Sequence, residues 1–270
     1  MCRSRGAVSQ MIESPETSST DQPAIRKGTP LPPPPKEYTG PKLASLSAFM
    51  PAYNEEPNIR WVAEDALAKL RMVTDDLELI LVNDGSADRT GEIIDKLAED
   101  HPEIVARHHP ENRGYGAALR TGFSSCGKEF IFYTDGDGQF DTGEIVKLIP
   151  LVDKADVVSA YRVDRKDPWH RKLNAWLYNT FLLIFFRLNV KDVDCAFKLY
   201  RAKFFDNVEL KSDGALIDAE VLIKLRKAGA RIAQVGVHHY PRIIGEQTGS
   251  KLKVILKTAK EIWANWRDLA

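Results

Sequence analysis

The chain has too few cysteines, too little charge imbalance and too short an apolar run to belong to several common protein classes. Its three cysteines in 270 residues, Cys2, Cys126 and Cys195, are odd in number and widely spaced. They form neither a disulfide framework nor a metal-ligand spacing, which fits a reducing cytosol. No early apolar stretch has the form of a signal peptide, and no uncharged run reaches the ~20 residues of a spanning helix. Lys and Arg number 38 against 38 Asp and Glu, so no bulk positive charge points to a nucleic-acid partner. Glycine-rich phosphate loops are missing too. Pro51-Ala-Tyr-Asn-Glu-Glu56 stands where a dinucleotide-binding fold carries Gly-x-Gly-x-x-Gly, and there is no Gly-Lys-Ser/Thr P-loop. A phosphate ligand is then expected to be held through a metal ion rather than a backbone cradle.

Residues 1–40 are rich in Ser, Thr and Pro, culminating in Pro30-Leu-Pro-Pro-Pro-Pro35, and show no apolar periodicity. They read as a disordered tail, followed by a main domain over 41–250 and a basic amphipathic helix over 251–270. From Leu43 onward apolar runs alternate with amphipathic stretches. The pattern predicts strands at Ala44–Met50, Leu77–Asn83, Ile104–His108, Lys128–Thr134 and Ala155–Tyr161. Helices are predicted at Glu56–Val73, Arg89–Glu99, Gly114–Ser125 and Thr142–Val152. Strands alternating with helices predict an α/β fold, with a mostly parallel central sheet and helices on both faces. After Tyr161 the pattern becomes a long apolar helix, a polar turn, a short strand, a helix and a further strand.

What the chain does have is a set of polar motifs at strand ends, where open parallel sheets collect their binding residues. Phe130-Ile-Phe-Tyr-Thr runs straight into Asp135-Gly-Asp-Gly-Gln139. Asp135 and Asp137 stand where a buried strand surfaces, with Gly136 and Gly138 permitting a tight turn. Two carboxylates so close repel, and Mg²⁺ or Mn²⁺ relieves that repulsion while taking its other oxygens from water and substrate phosphates. The first strand ends in Met50-Pro-Ala-Tyr-Asn-Glu-Glu56, the second in Asn83-Asp-Gly-Ser86, and the third leads into Asn112-Arg-Gly-Tyr-Gly116. Alone, each has a structural explanation as a turn or helix cap; four at successive strand ends point to one crevice.

These segments, in this order, resemble family-2 glycosyltransferases of GT-A fold, most closely the dolichyl-phosphate mannose synthase and polyprenyl-phosphate glucosyltransferase branch. The resemblance runs from about Ser45 to Ser250. It implies an inverting transfer of mannose or glucose from GDP-mannose or UDP-glucose to a polyprenyl phosphate. It places Pro51, Tyr53, Glu55 and Asp84 at base and ribose, and Arg113 and Gly116 on the diphosphate side with Asp135 and Gly136. It gives the metal to Asp135, Asp137 and Gln139. It also brings Arg162, Arg171, Asn174 and Arg242 to the acceptor phosphate, with Asn174 standing where relatives often carry Ser. Asp137, Arg171 and Arg242 are the residues it implies for catalysis. Asp218 lies where other family-2 enzymes place a base, a role needed only by a neutral hydroxyl acceptor. Asp192-Val-Asp-Cys-Ala-Phe-Lys198 resembles another family segment, with Ala196 replacing its usual Gly and Cys195 expected to be a packing residue.

Two stretches bear on membranes. Ala175–Phe186 carries no charge and is too short to span. It reads as a buried core helix, with an interfacial helix as the alternative. The Lys251–Leu269 stretch mixes lysines with Trp263 and Trp266, a pattern suited to an anionic membrane surface or to docking on the domain itself. Together these readings predict a cytoplasmic protein, peripheral on a membrane.

Overall fold

The computed structural model describes residues 38–163, 169–241, 261–262, 264 and 266–269. Seven strands form one sheet: β1 (Leu46–Ala52), β2 (Leu77–Asn83), β3 (Ile104–His108), β4 (Phe130–Thr134), β5 (Val157–Val163), β6 (Phe197–Arg201) and β7 (Ile232–His238). Their order is β3-β2-β1-β4-β6-β5-β7. β6 runs antiparallel to both β4 and β5, and every other pairing is parallel. The helices are α1 (Ile59–Leu70), α2 (Thr90–Asp100), α3 (Tyr115–Ser125), α4 (Trp169–Phe186), α5 (Ile217–Lys227) and a short α6 (Trp266–Leu269).

The central strands are near-continuous apolar runs because both faces of the sheet are covered. Neighbouring residues of β1 show this, since successive side chains point to opposite faces. Phe49 packs on α3, where a Cβ on Gly122 would lie 2.2 Å from its ring. The adjacent Met50 shares the other face with Ile59 of α1 beside Gly136. Phe123 sits between Phe49 and Phe205, with ring centroids 4.8 Å from each. Such a buried aromatic holds α3 to the sheet by about 3–5 kcal/mol relative to alanine.

Several expected elements shift. α1 begins at Ile59 rather than Glu56, because Glu55 O accepts from both Asn58 N and Ile59 N and closes a tight turn first. The helix expected over Thr142–Val152 is instead two 3-10 turns, Thr142–Lys147 and Ile149–Leu151. Asp141 caps Gly143 N at 2.9 Å, and Pro150 has no N–H to continue an α-helical ladder. The Ala175–Phe186 stretch is not a buried core helix. Leu182 and Phe186 are buried, but Trp176 is 62% exposed and Ile184 66%. Of the expected C-terminal helix, Lys251, Lys253, Lys257, Lys260 and Trp263 lie outside the described residues. Trp266 packs on Phe186 and Phe185, centroids 5.1 and 5.7 Å away.

Candidate active site

The loops after β1 and β2 are interlocked. Asn54, held at φ 54°, donates its backbone N–H to Ser86 Oγ at 3.0 Å and accepts from Ala87 N at 2.9 Å. Glu56 N donates to Asp88 at 3.1 Å, while Arg89 N donates back to Glu56 at 3.1 Å. Gly85, at φ 65°, lies so close to the Glu111 backbone that a Cβ would approach within 2.2 Å. The two turns and the loop before α3 thus form one wall at the C-terminal ends of β1, β2 and β3.

Two residues expected at base and ribose also shape that wall. Asp84 is buried; Oδ1 accepts from Arg113 N at 3.0 Å and pairs with His109 Nδ1 at 2.6 Å, and Oδ2 accepts from Gly114 N at 2.9 Å. His109 Nε2 is in turn bonded to Thr121 of α3 at 2.8 Å. Glu55 is buried and accepts from Asn58 Nδ2 at 2.8 Å. Tyr53 and Arg113, by contrast, are exposed beside them. Gly116 N donates to Asp213 O at 3.0 Å, and a Cβ on Gly116 would stand 2.5 Å from Ser212 O. The loop before α5 therefore rests directly on the start of α3. Buried Glu220 secures that loop, accepting from Lys211 N and Ser212 N.

Past β4, Gly136 N donates to Pro51 O at 3.3 Å, which sets the two strand ends side by side. Asp137 accepts from Gln139 N at 3.0 Å. Gln139 is buried and reaches Tyr240, two residues before Arg242. Asp135 lies against the hydroxyls of Tyr115 and Tyr133, and burial with Asp137 and Asp218 close by holds its carboxyl well above the usual range. Surplus negative charge at a pair of carboxylates, with an amide beside them, fits Mg²⁺ or Mn²⁺. Among the described residues no group of three or more His, Cys, Asp or Glu makes an all-protein cage, so water and phosphate oxygens would complete the shell.

On the acceptor side the structure changes the picture of two expected residues. Arg162 is not a lone cation: Nε and Nη2 each lie 2.7 Å from the Asp192 carboxylate, a bidentate pair. Asp218 is buried with Oδ1 2.6 Å from Lys198 Nζ. Burial raises its carboxyl, while Lys198 opposes that rise. Arg242 lies outside the described residues, and of Arg171 and Asn174 only the helical backbone belongs to them. Cys195 is buried and its thiol is pushed up by burial, so it is inert. Lys198, Tyr115 and Tyr133 went unassigned in the sequence, although a lysine inside Phe197-Lys-Leu-Tyr200 was visible as a charge in an apolar strand.

A mostly parallel sheet with acids, amides and glycines gathered at its strand ends, and an antiparallel β6 beside the Asp-Gly-Asp, defines a GT-A glycosyltransferase architecture. Residues 47–209 match Glycosyl transferase family 2, and the chain belongs to that family. It is 30% identical to an uncharacterised protein of Methanocaldococcus jannaschii, over 80% of this chain and 97% of that one. It is 28% identical to an undecaprenyl-phosphate 4-deoxy-4-formamido-L-arabinose transferase of Photorhabdus laumondii, covering 79% of this chain but 66% of that one. A dolichyl-phosphate beta-glucosyltransferase of Trichomonas vaginalis is 26% identical, with 82% and 73% covered. Among solved structures, glucosyl-3-phosphoglycerate synthase from Mycobacterium tuberculosis, in complex with Mn²⁺, UDP and glucosyl-3-phosphoglycerate, superposes with a TM-score of 0.61 at 16% identity, over 83% of this chain and 79% of that one. That likeness establishes the fold.

Proposed function

We propose that this protein moves a hexose, with inversion, from a nucleotide diphosphate sugar (GDP-mannose or UDP-glucose) to a polyprenyl or dolichyl phosphate. The observation that carries this reading is the placement of Asp135 and Asp137 between the interlocked β1 and β2 loops and the Gln139–Tyr240 contact that leads to Arg242. Relatives named for transfer to undecaprenyl and dolichyl phosphates support the acceptor class.

Asp135, Asp137 and Gln139 would hold Mg²⁺ or Mn²⁺, which when bound neutralises charge on the departing diphosphate. Pro51, Tyr53 and the Asp84-shaped loop face base and ribose, while Arg113, Gly116 and Gly136 line the diphosphate. The acceptor phosphate is already an anion at pH 7, so it needs orientation more than deprotonation. Arg171, Arg242 and Asn174 are assigned to that task, with Arg162 contributing through its pair with Asp192. A hydroxyl acceptor would instead need Asp218 as base, yet Lys198 is bonded to that carboxylate. The protein is proposed to work peripherally at the cytoplasmic face of a membrane, with the exposed side of α4 toward the lipid.

Incubation with labelled GDP-mannose or UDP-glucose and a panel of dolichyl and undecaprenyl phosphates tests the proposal. A lipid-extractable labelled product that vanishes with chelator is expected. Transfer to free sugars with none to any lipid phosphate would overturn it.

A further inference from the structure

β6 lies between β4 and β5, and its Lys198 is 0% exposed. An ammonium in such a position is expensive unless paired, and a well-packed apolar residue would serve stability as well or better. Lys198 Nζ donates to Asp218 Oδ1 and to Cys195 O, both at 2.6 Å. It also stands 5.4 Å from the centre of the Tyr133 ring, its cross-strand neighbour. The Tyr133 hydroxyl meets that of Tyr115, and the two hydroxyls lie 3.5 and 3.4 Å from Asp135 Oδ1. The Lys198–Asp218 pair therefore lies against the Tyr133 ring, and the Tyr133 and Tyr115 hydroxyls lead from there to the carboxylate of Asp135.

We infer that Lys198 is a positioning residue for the cation site: paired with Asp218, its ammonium seats the Tyr133 ring, and the Tyr133 and Tyr115 hydroxyls aim the Asp135 carboxylate. This rests on the proposed metal role of Asp135. The Lys198 charge also cancels that of Asp218, so a divalent ion meets a site whose net charge comes from Asp135 and Asp137. Asp218 is then a link in the support rather than a proton acceptor. No proton moves between these groups; their task is orientation.

The test is Mn²⁺ affinity measured by calorimetry on the full-length protein with UDP or GDP present and no acceptor, alongside the electron paramagnetic resonance signal of the bound ion. Lys198→Met alone leaves Asp218 buried and unpaired and is prone to misfold, so two other variants carry the test. Tyr115→Phe removes a single hydroxyl, and Lys198→Met/Asp218→Leu replaces the ion pair by apolar side chains of similar size. Both should fold with melting temperatures near the parent and bind Mn²⁺ roughly tenfold or more weakly, as loss of a hydrogen bond to a charged group requires. A merely structural role would move the melting temperature and leave Mn²⁺ affinity alone. Parent-like Mn²⁺ binding by both variants would overturn the positioning role while leaving the transferase reading standing. A parent that binds no Mn²⁺ with either nucleotide would overturn the metal reading beneath it.

Discussion

Gln139 and Tyr240 bind each other twice: Tyr240 N donates to Gln139 O at 2.8 Å, and Gln139 Nε2 donates to Tyr240 O at 3.0 Å. One residue of the Asp-Gly-Asp-Gly-Gln segment thereby fixes the chain that leaves β7 toward Arg242. The proposed donor and acceptor sides of the crevice would be tied at this point. In Gln139→Glu an oxygen remains for a cation, but the Nε2 donor is gone and a carboxylate faces the Tyr240 carbonyl. Nucleotide affinity with Mn²⁺ should stay within a few-fold of the parent, while kcat/KM for the lipid acceptor falls roughly tenfold. Steady-state kinetics with saturating donor read this directly; an unchanged kcat/KM for the acceptor would count against the tie.

Asp137 has a different role. Asp137→Ala removes a carboxylate from the proposed cation site without touching the Gln139–Tyr240 bonds. Charge stabilisation of a departing diphosphate is worth several kcal/mol, so turnover should drop on the order of a thousandfold. Rapid-quench measurement of the first turnover separates this from slow product release. Activity within tenfold of the parent would remove Asp137 from the site.

For Asp84 the structure alters what a substitution should do. Its carboxylate accepts from two backbone N–H groups and pairs with His109. Asp84→Asn turns an amide donor toward donors, so the loop before α3 should loosen at a stability cost of about 1–3 kcal/mol. Nucleotide affinity should fall with it, because that loop carries Arg113 and Gly116. Thermal melts and calorimetry together check this, and a weakened nucleotide with unchanged stability would instead indicate direct contact.

How far the sequence reached depends on the range of the forces involved. β2 and β3 were legible to the residue because Leu77–Asn83 and the β-branched start of Ile104–His108 are bounded by turn residues. The Thr142–Val152 helix was misjudged because its periodicity is sound while Pro150 and the Asp141 cap decide the backbone. The antiparallel β6 had no local mark of direction; it follows α4 and a turn, and its pairing with β4 is a property of the assembled sheet. The crevice was legible as motifs at strand ends. The Lys198–Asp218 pair joins β6 to α5 across twenty positions, and nothing in either segment names the other. α4 was misread for a related reason: an uncharged helix is equally consistent with burial and with an exposed apolar face.

Charge in the crevice also sets a pH dependence. The carboxyls of Asp135 and Asp218 are raised in the folded protein, above all by burial. Raised acids bind protons more tightly folded than unfolded, so their contribution favours the fold at low pH. It is lost as pH climbs from the ordinary carboxylate range, about 4, through the raised values. With chelator present, the melting temperature should therefore decline as pH rises above the ordinary carboxylate range, since Asp135 then has no metal counter-cation. Added Mn²⁺ should recover it most at the upper end. A chelated protein that grows steadily more stable over this interval would contradict the charge surplus.

The exposed side of α4 gives the last expectation. Trp176, Leu177, Leu183 and Ile184 are exposed, and their spacing of one, seven and eight residues from Trp176 puts them along one side of the helix. Leu182 and Phe186 face inward, where Trp266 packs on Phe186. The helix is therefore anchored, and its outer side is exposed among the described residues. No helix among the described residues is long and apolar enough to cross a membrane, so any attachment through α4 would be interfacial. Burying one such side chain in lipid is worth about 1.5–3 kcal/mol. Leu183→Glu with Ile184→Glu should then weaken co-sedimentation with phospholipid vesicles on the order of a hundredfold or more. Both positions already face solvent, so the melting temperature should hardly change. Turnover with a detergent-soluble short-chain prenyl phosphate should persist, while turnover with long-chain acceptor in vesicles is lost. Vesicle binding that survives both substitutions would place the membrane contact elsewhere, and loss of both activities together would mean that α4 supports the crevice itself.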